Sequence, residues 1–209
     1  MEQLFNSPPE VLCSGDLIYF ADCYSFLQAS DLFTALATEL DWRQESLQMY
    51  GKTVAIPRLQ AWYGDSTADY EYSGLKLTPL LWHNTLKNIK THIECYLNTH
   101  KLELRIKGKY AFNSVLANFY RDNNDGMSWH SDDEIQLGEQ PVIASLSLGQ
   151  NRKFSLKHKI SGEKLDLNLQ SGSLLLMRGD LQDNWRHCLA KSKKPMAGRI
   201  NLTFRHIVT

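Results

Sequence analysis

Apolar residues recur at helical spacing in two stretches of the first half of the chain. Ser30-Asp-Leu-Phe-Thr-Ala-Leu-Ala-Thr-Glu-Leu40 reads as a helix with Ser30 at its N-cap. Leu80 to Leu97 reads as a second, because Leu81, Leu86, Ile89, Ile93 and Leu97 fall near one helical face. From residue 114 the pattern changes to short strand-like runs: Ser114 to Tyr120, Val142 to Leu148, Lys153 to Lys157, Lys164 to Leu169, Ser173 to Met177, Asn184 to Leu189 and Ile200 to Val208. Gly149, Gly162, Gly172 and Gly179 stand between these runs, where turns are needed. Short strands at this interval after two helices predict an α+β chain that is mainly β, with a jelly-roll core and helices packed on one sheet.

The last strand alternates most clearly. Arg199, Asn201, Thr203 and Arg205 share one face and Ile200, Leu202 and Phe204 the other. Two arginines and an amide along one face suit carboxylates, because each guanidinium fork matches a carboxylate in two places. A solvated face of an edge strand is the competing reading. Upstream, Asn118 and Tyr120 share a face of the strand leading to His130-Ser131-Asp132. On a strand His130 and Asp132 point the same way, and His187 lies in another short apolar run. Two imidazoles and one carboxylate can occupy one face of an octahedral ion and leave the other open. His-x-Asp alone also fits a surface turn without metal. His83, His92, His100, His158 and His206 are the rival ligands, and the first three lie in or beside the second predicted helix.

Composition narrows the class. With 209 residues, 43% of them hydrophobic, the chain can bury one sizeable core, and no linker, repeat or low-complexity run divides it. No apolar run approaches the ~20 residues that span a bilayer, and the N-terminus lacks a basic-then-apolar leader. Cys13, Cys23, Cys95 and Cys188 show no paired spacing, which predicts free thiols in a reducing compartment, and Cys188 is expected in the core. Net charge is zero, so any affinity for nucleic acid must come from local clusters such as Lys153, Lys157, His158 and Lys159, or Lys191, Lys193 and Lys194. Surface lysines that serve only solubility are the plainer reading of the same residues.

Taken together, Asn118-x-Tyr120, His130-x-Asp132-x-Glu134, His187 and Arg199-x-Asn201-x-x-x-Arg205 resemble the AlkB family of Fe(II)- and 2-oxoglutarate-dependent dioxygenases, which demethylate alkylated nucleobases oxidatively. Pro57-Arg-Leu-Gln-Ala-Trp-Tyr-Gly64 and the run from Ile143-Ala-Ser-Leu-Ser-Leu-Gly149 to Arg152-Lys-Phe154 are similar to the same family. The match is strongest with the branch that contains the nuclear human DNA and RNA demethylases and many bacterial relatives. It covers about residues 50 to 209.

The resemblance implies a single domain with a double-stranded β-helix over residues 110–209, a nucleotide-recognition lid over 55–78 and an N-terminal extension over 1–50. It implies that His130, Asp132 and His187 hold Fe(II), that Arg205 lies near the C1 carboxylate of 2-oxoglutarate and that Arg199 pairs with the C5 carboxylate, assisted by Asn118, Tyr120 and Asn201. O2 is the second co-substrate; succinate, CO2 and formaldehyde are the products. Trp62, Tyr63, Tyr72 and Glu134 are the expected substrate contacts. Alternation lets only one of Trp62 and Tyr63 face the pocket, and Tyr63 is the expected one; packing beneath a hairpin is the other reading of both. Glu134 would favour a cationic base such as 1-methyladenine or 3-methylcytosine, flipped out of a duplex or taken from a single strand. The implied partner is DNA, single- or double-stranded, with RNA as a second class and no membrane. The implied enzyme is an intracellular monomer, cytoplasmic in a bacterium and nuclear or cytoplasmic in a eukaryote. An Fe(II)/2-oxoglutarate hydroxylase of a protein or small molecule is the alternative, and a noncatalytic jelly-roll module the third reading.

Overall fold

In the computed structural model of the chain, the residues described are 7–49, 51–66, 68, 70–72, 75–77, 79–100 and 110–208. In chain order the elements are β1 (Glu10–Leu12), β2 (Leu17–Phe20), α1 (Phe26–Glu39), β3 (Ser46–Met49), β4 (Lys52–Ala55), β5 (Leu59–Gly64), β6 (Tyr70–Tyr72), β7 (Leu75–Leu77), β8 (Leu80–Leu81) and α2 (Asn84–Thr99). They continue with β9 (Ser114–Tyr120), β10 (Met127–His130), β11 (Ile143–Gly149), β12 (Arg152–His158), β13 (Lys164–Leu169), β14 (Leu174–Met177), α3 (Leu181–Asn184), β15 (Trp185–Leu189) and β16 (Arg199–Arg205).

Two sheets face each other. The larger runs β1-β2-β14-β11-β16-β9-β5-β8 and the smaller β10-β15-β12-β13, while β3-β4 and β6-β7 are separate hairpins. Period-two alternation explains why the larger sheet is buried on both faces. Ile18, Phe20, Leu174, Leu176, Ile200, Leu202 and Phe204 pack against Ala29 and Leu36 of α1 and Leu86, Ile89, Ile93 and Leu97 of α2. Leu17, Tyr19, Leu175 and Met177 point the other way and meet Leu156, Leu167, Leu169 and Trp185 of the smaller sheet. The turn after β11 needs a glycine: Gly149 has φ +84°, and a Cβ there would lie 2.6 Å from the Gly198 carbonyl and 2.8 Å from the Phe33 ring. No helix among the described residues is long and apolar enough to cross a membrane.

The jelly-roll architecture expected from the strand pattern is present, and three local readings are corrected. Helix α1 starts a turn earlier than its apolar pattern suggests, because Ser25 and not Ser30 is the N-cap. Ser25 and Gln28 form a reciprocal capping box, and Phe26 and Leu27 at its start are exposed, which hides the periodicity there. Leu81 is outside α2, on β8, and 81% exposed. Residues expected as an N-terminal extension are built into the main sheet: β2 pairs with β14 from Leu174↔Phe20 to Met177↔Leu17, and α1 packs on β11.

Candidate active site

Between the sheets lies a cavity of about 260 Å³, lined in part by polar side chains of β10, β15 and β16. One bond sets the direction of His130, the last residue of β10. Its Nδ1 is 2.8 Å from the Ser128 carbonyl, which can only accept, so Nδ1 carries a proton and Nε2 is the nitrogen that offers its lone pair in the neutral ring. Opposite it in register, His187 of β15 brings its Nε2 to 3.1 Å from that of His130. Asp132 lies beyond the strand rather than on it, so the shared-face reading of His130 and Asp132 needs correction. A turn brings its Oδ1 to 3.7 Å from His130 Nε2. The ligand atoms of His130, Asp132 and His187 all lie within 4.8 Å of one another, and among the described residues they are the only such group. Two imidazoles and a carboxylate fit Fe(II) in its three-ligand oxygenase arrangement.

Electrostatics prepare the same three groups. Burial alone would raise the Asp132 carboxyl, but Arg205 first, then His187 and His130, outweigh it and hold the group well below the usual carboxylate range. Arg205 Nη2 donates to Asp132 Oδ2 at 2.8 Å, leaving Oδ1 toward the histidines. Burial pushes the His187 imidazole down to about 3, and the neighbouring Asp132 only partly offsets this. His187 is therefore neutral, the form that binds a metal.

That burial has a consequence for stability. In the unfolded chain His187 takes up a proton near its ordinary 6.5, in the folded one only near 3. Acidification between these values protonates the unfolded state alone, so metal-free stability falls as pH drops. The metal-free denaturation midpoint is expected to fall from about pH 7 to about pH 5, and His187→Leu to flatten the slope. A wild-type midpoint that stays constant over that window would rule out this effect.

Deeper in, Arg199 is 2% exposed and donates from Nη2 to Ser147 Oγ at 2.8 Å. Its guanidinium carbon lies 5.4 Å from the centre of the Tyr120 ring, while its Nε is buried with no hydrogen-bond partner. Burial lowers its pKa to about 10, which still leaves it charged at neutral pH. A buried cation with an unused donor and no ion pair among the described residues fits an anionic ligand such as the far carboxylate of 2-oxoglutarate. Asn201 lies beside it and donates to Ser145 Oγ at 2.8 Å and to the Leu146 carbonyl at 3.1 Å, while its oxygen accepts from Thr203 Oγ1. On the adjacent strand Asn118 Oδ1 accepts from Arg58 Nε at 2.7 Å and Gln60 Nε2 at 3.2 Å.

The structure thus gathers His130, Asp132, His187, Asn118, Tyr120, Arg199, Asn201, Arg205, Trp62 and Glu134 around one cavity. Strand β16 is central, between β11 and β9, which removes the edge-strand reading. Tyr63 is not with them. The expected alternation holds in the opposite phase: Trp62 lines the cavity, whereas Tyr63 joins the helix-side core and its hydroxyl accepts from the Asp41 amide. Tyr72 is on β6, and its side chain lies outside the described residues. One carboxylate oxygen of Glu134, Oε2, is buried and without a hydrogen-bond partner. Arg58, Ser145 and Thr203 also line the site, and Ser147 holds Arg199 behind it, with no role assigned from sequence. Ser145 and Ser147 were visible as the polar alternates of Ile143–Gly149, and Arg58 as a charge beside an apolar strand. The four cysteines are free, and Cys188 is buried as expected.

The chain matches a family model described as the 2OG-Fe(II) oxygenase superfamily over residues 16–205. It is 35% identical over 190 residues to human alpha-ketoglutarate-dependent dioxygenase alkB homolog 3, covering 86% of this chain and 62% of that protein. It is 36% identical over 192 residues to human DNA oxidative demethylase ALKBH2, covering 87% and 69%. The plant relative of the latter name, from Arabidopsis thaliana, is 32% identical over 220 residues, covering 93% of this chain. A solved structure of OsALKBH1 superimposes with a TM-score of 0.62 at 17% identity, covering 91% of this chain and 98% of that one, a likeness of fold. The chain spans 60–62% of the length of the alkB homolog 3 relatives from cattle, human, mouse and rat.

Proposed function

The chain belongs to the 2OG-Fe(II) oxygenase superfamily and to its AlkB family, and from that membership we propose that it oxidatively demethylates N-alkylated nucleobases in nucleic acid. The observation that carries this reading is the arrangement of the cavity. Three ligand atoms converge, a buried guanidinium with no ion pair among the described residues lies on the last strand, and Glu134 supplies a buried carboxylate oxygen without a donor among them.

His130, Asp132 and His187 would hold Fe(II). Bound there with O2 and 2-oxoglutarate, the iron supplies the oxidising chemistry that couples decarboxylation of the co-substrate, to succinate and CO2, to hydroxylation of an N-methyl group. Arg199 anchors the far carboxylate of the co-substrate, and Arg205 keeps one oxygen of Asp132 turned from the histidines. Trp62 and Phe154 line the cavity with apolar surface, Phe154 with its ring 5.2 Å from that of His187, and so exclude water from the reacting centre. Glu134 receives the exocyclic donor of a cationic base such as 1-methyladenine or 3-methylcytosine. After hydroxylation the N–CH2OH bond breaks, formaldehyde leaves, and the ring nitrogen departs as part of a neutral base, so no protein nucleophile is required.

A base within a duplex cannot reach such a cavity, so it is flipped out or taken from a single strand. The outer face of the smaller sheet has a charge pattern suited to the phosphates. Lys157 stands directly opposite both Lys164 and Arg186, and none of the three has an ion pair among the described residues. Like charges so placed repel, and an anionic partner relieves the repulsion. Lys159 is not part of this row, because its Nζ donates to the Gln182 carbonyl at 2.7 Å. The partner is DNA, with RNA as the second candidate, inside the cell.

The test is formaldehyde release, with mass spectrometry of the product, from single-stranded oligonucleotides carrying 1-methyladenine or 3-methylcytosine, in the presence of Fe(II), ascorbate and 2-oxoglutarate. Loss of one methyl group per turnover supports the reading. Succinate formation stimulated only by a protein or small molecule would replace the substrate and keep the site. Glu134→Ala is expected to lower kcat/KM for methylated oligonucleotides by about 10–100-fold, the effect of removing one hydrogen bond to a charged group. Binding of 2-oxoglutarate should persist, and unchanged oligonucleotide turnover would take Glu134 out of base recognition.

A further inference from the structure

The turn that carries two of the three metal ligands is tied to the segment that carries the third by bonds that involve no metal. The amide of Asp132 donates to Gln182 Oε1 at 2.9 Å, and the Ser131 hydroxyl donates to the Trp185 carbonyl at 2.9 Å. Gln182 is 3% exposed, in the single-turn helix α3, and α3 runs directly into β15 and so to His187. Its other end is engaged too. Nε2 reaches Met177 Sδ at 3.6 Å, and the main-chain carbonyl of Gln182 accepts from Lys159 Nζ. A buried glutamine with both ends of its amide committed has one orientation, and Gln182 presents its oxygen to a main-chain amide that lies outside any strand pairing.

We infer that Gln182 is a positioning residue that, with Ser131, holds the His130–Asp132 turn against α3 and β15, so that the three ligands converge before the metal arrives. This rests on the reading of His130, Asp132 and His187 as Fe(II) ligands. The physical reason is that Asp132 lies beyond the end of β10. A ligand on a strand is held by the ladder, but β10 stops at His130, so the backbone of Asp132 needs a side chain to fix it. Arg205 holds the Asp132 carboxylate, and Gln182 holds the main chain behind it. Outer partners of this kind typically change metal affinity by about 10–100-fold when removed.

The experiment is Mn(II) affinity measured by electron paramagnetic resonance on the purified protein, alongside the metal-free melting temperature. Gln182→Met fills a similar volume but replaces the amide oxygen with a weak thioether acceptor; it is expected to weaken Mn(II) binding by about 10–100-fold. Gln182→Glu, which returns an acceptor oxygen at the same reach, is expected to restore tight binding. A residue that merely packs would lower the melting temperature of Gln182→Met and leave its Mn(II) affinity unchanged, and that result overturns the inference. So does a Gln182→Glu protein that binds as weakly as Gln182→Met. If Gln182→Met gives no cooperative melt, Ser131→Ala tests the second tie. Weakened Mn(II) binding in that variant supports the inference, and wild-type affinity overturns it. Failure of the wild-type protein to bind Mn(II) would instead overturn the metal-site reading itself.

Discussion

His130→Ala is expected to reduce formaldehyde release from a methylated oligonucleotide to background while leaving the fold intact. The side chain of His130 is 29% exposed at the end of β10, so its removal opens no core cavity, and the melting temperature should change little. Its chemical role is different in scale. With Nδ1 protonated against the Ser128 carbonyl, Nε2 is the nitrogen that would bind the metal, and its loss would leave His187 and Asp132 as the two remaining ligands from the described cluster. If the bound ion supplies several kcal/mol of the barrier lowering, at ~1.4 kcal/mol per tenfold the rate falls by on the order of 10³ or more. Mn(II) affinity should fall in parallel, which separates a metal defect from a substrate defect. Turnover within tenfold of wild type would show that iron is held elsewhere.

Arg199→Met should have the second-largest effect, and it should act in opposite directions on binding and stability. In the ligand-free protein Arg199 is a buried cation whose Nε has no partner, so a methionine of similar length removes a desolvation penalty. The ligand-free variant is therefore expected to melt no lower than wild type. On the proposed role, binding of 2-oxoglutarate loses its charge-assisted anchor, worth roughly 2–5 kcal/mol, so its KM should rise by about 30-fold to a few thousand-fold. Addition of 2-oxoglutarate with Mn(II) should raise the melting temperature of wild type strongly and of the variant hardly at all. A variant that keeps its KM would place the co-substrate away from β16.

The two effects come from residues that differ in how openly the chain announces them. Arg199, Asn201 and Arg205 were legible because a strand period of two is local, and the register Arg199↔Tyr120 and Asn201↔Asn118 then brings the two patterned faces together. Trp62 and Tyr63 show the limit of that logic. Alternation said that one of them faces the cavity, but which one depends on the pairing of β5 with β9, Trp62 opposite Leu116 and Tyr63 opposite Val115. The start of α1 was missed because exposed Phe26 and Leu27 blur the apolar stripe, although the capping box Ser25-x-x-Gln28 was present in the chain. Gln182 carried no signal, because a glutamine in a short polar segment looks like any surface residue until its partner 50 positions away is known.

By itself the sequence determined the residue types of the site and the periodicities that put them on shared faces: a mainly β chain, the His130, Asp132 and His187 donors, and the arginine face of the last strand. Tertiary structure alone decided the distances and the burial. It brought β10 against β15 so that two imidazole nitrogens meet at 3.1 Å, and it placed β16 in the middle of the larger sheet with Arg199 sealed from water. The division has a simple origin. Side-chain direction repeats every two residues along a strand and can be read within a short window, whereas strand order, register and desolvation are set by partners tens of residues away.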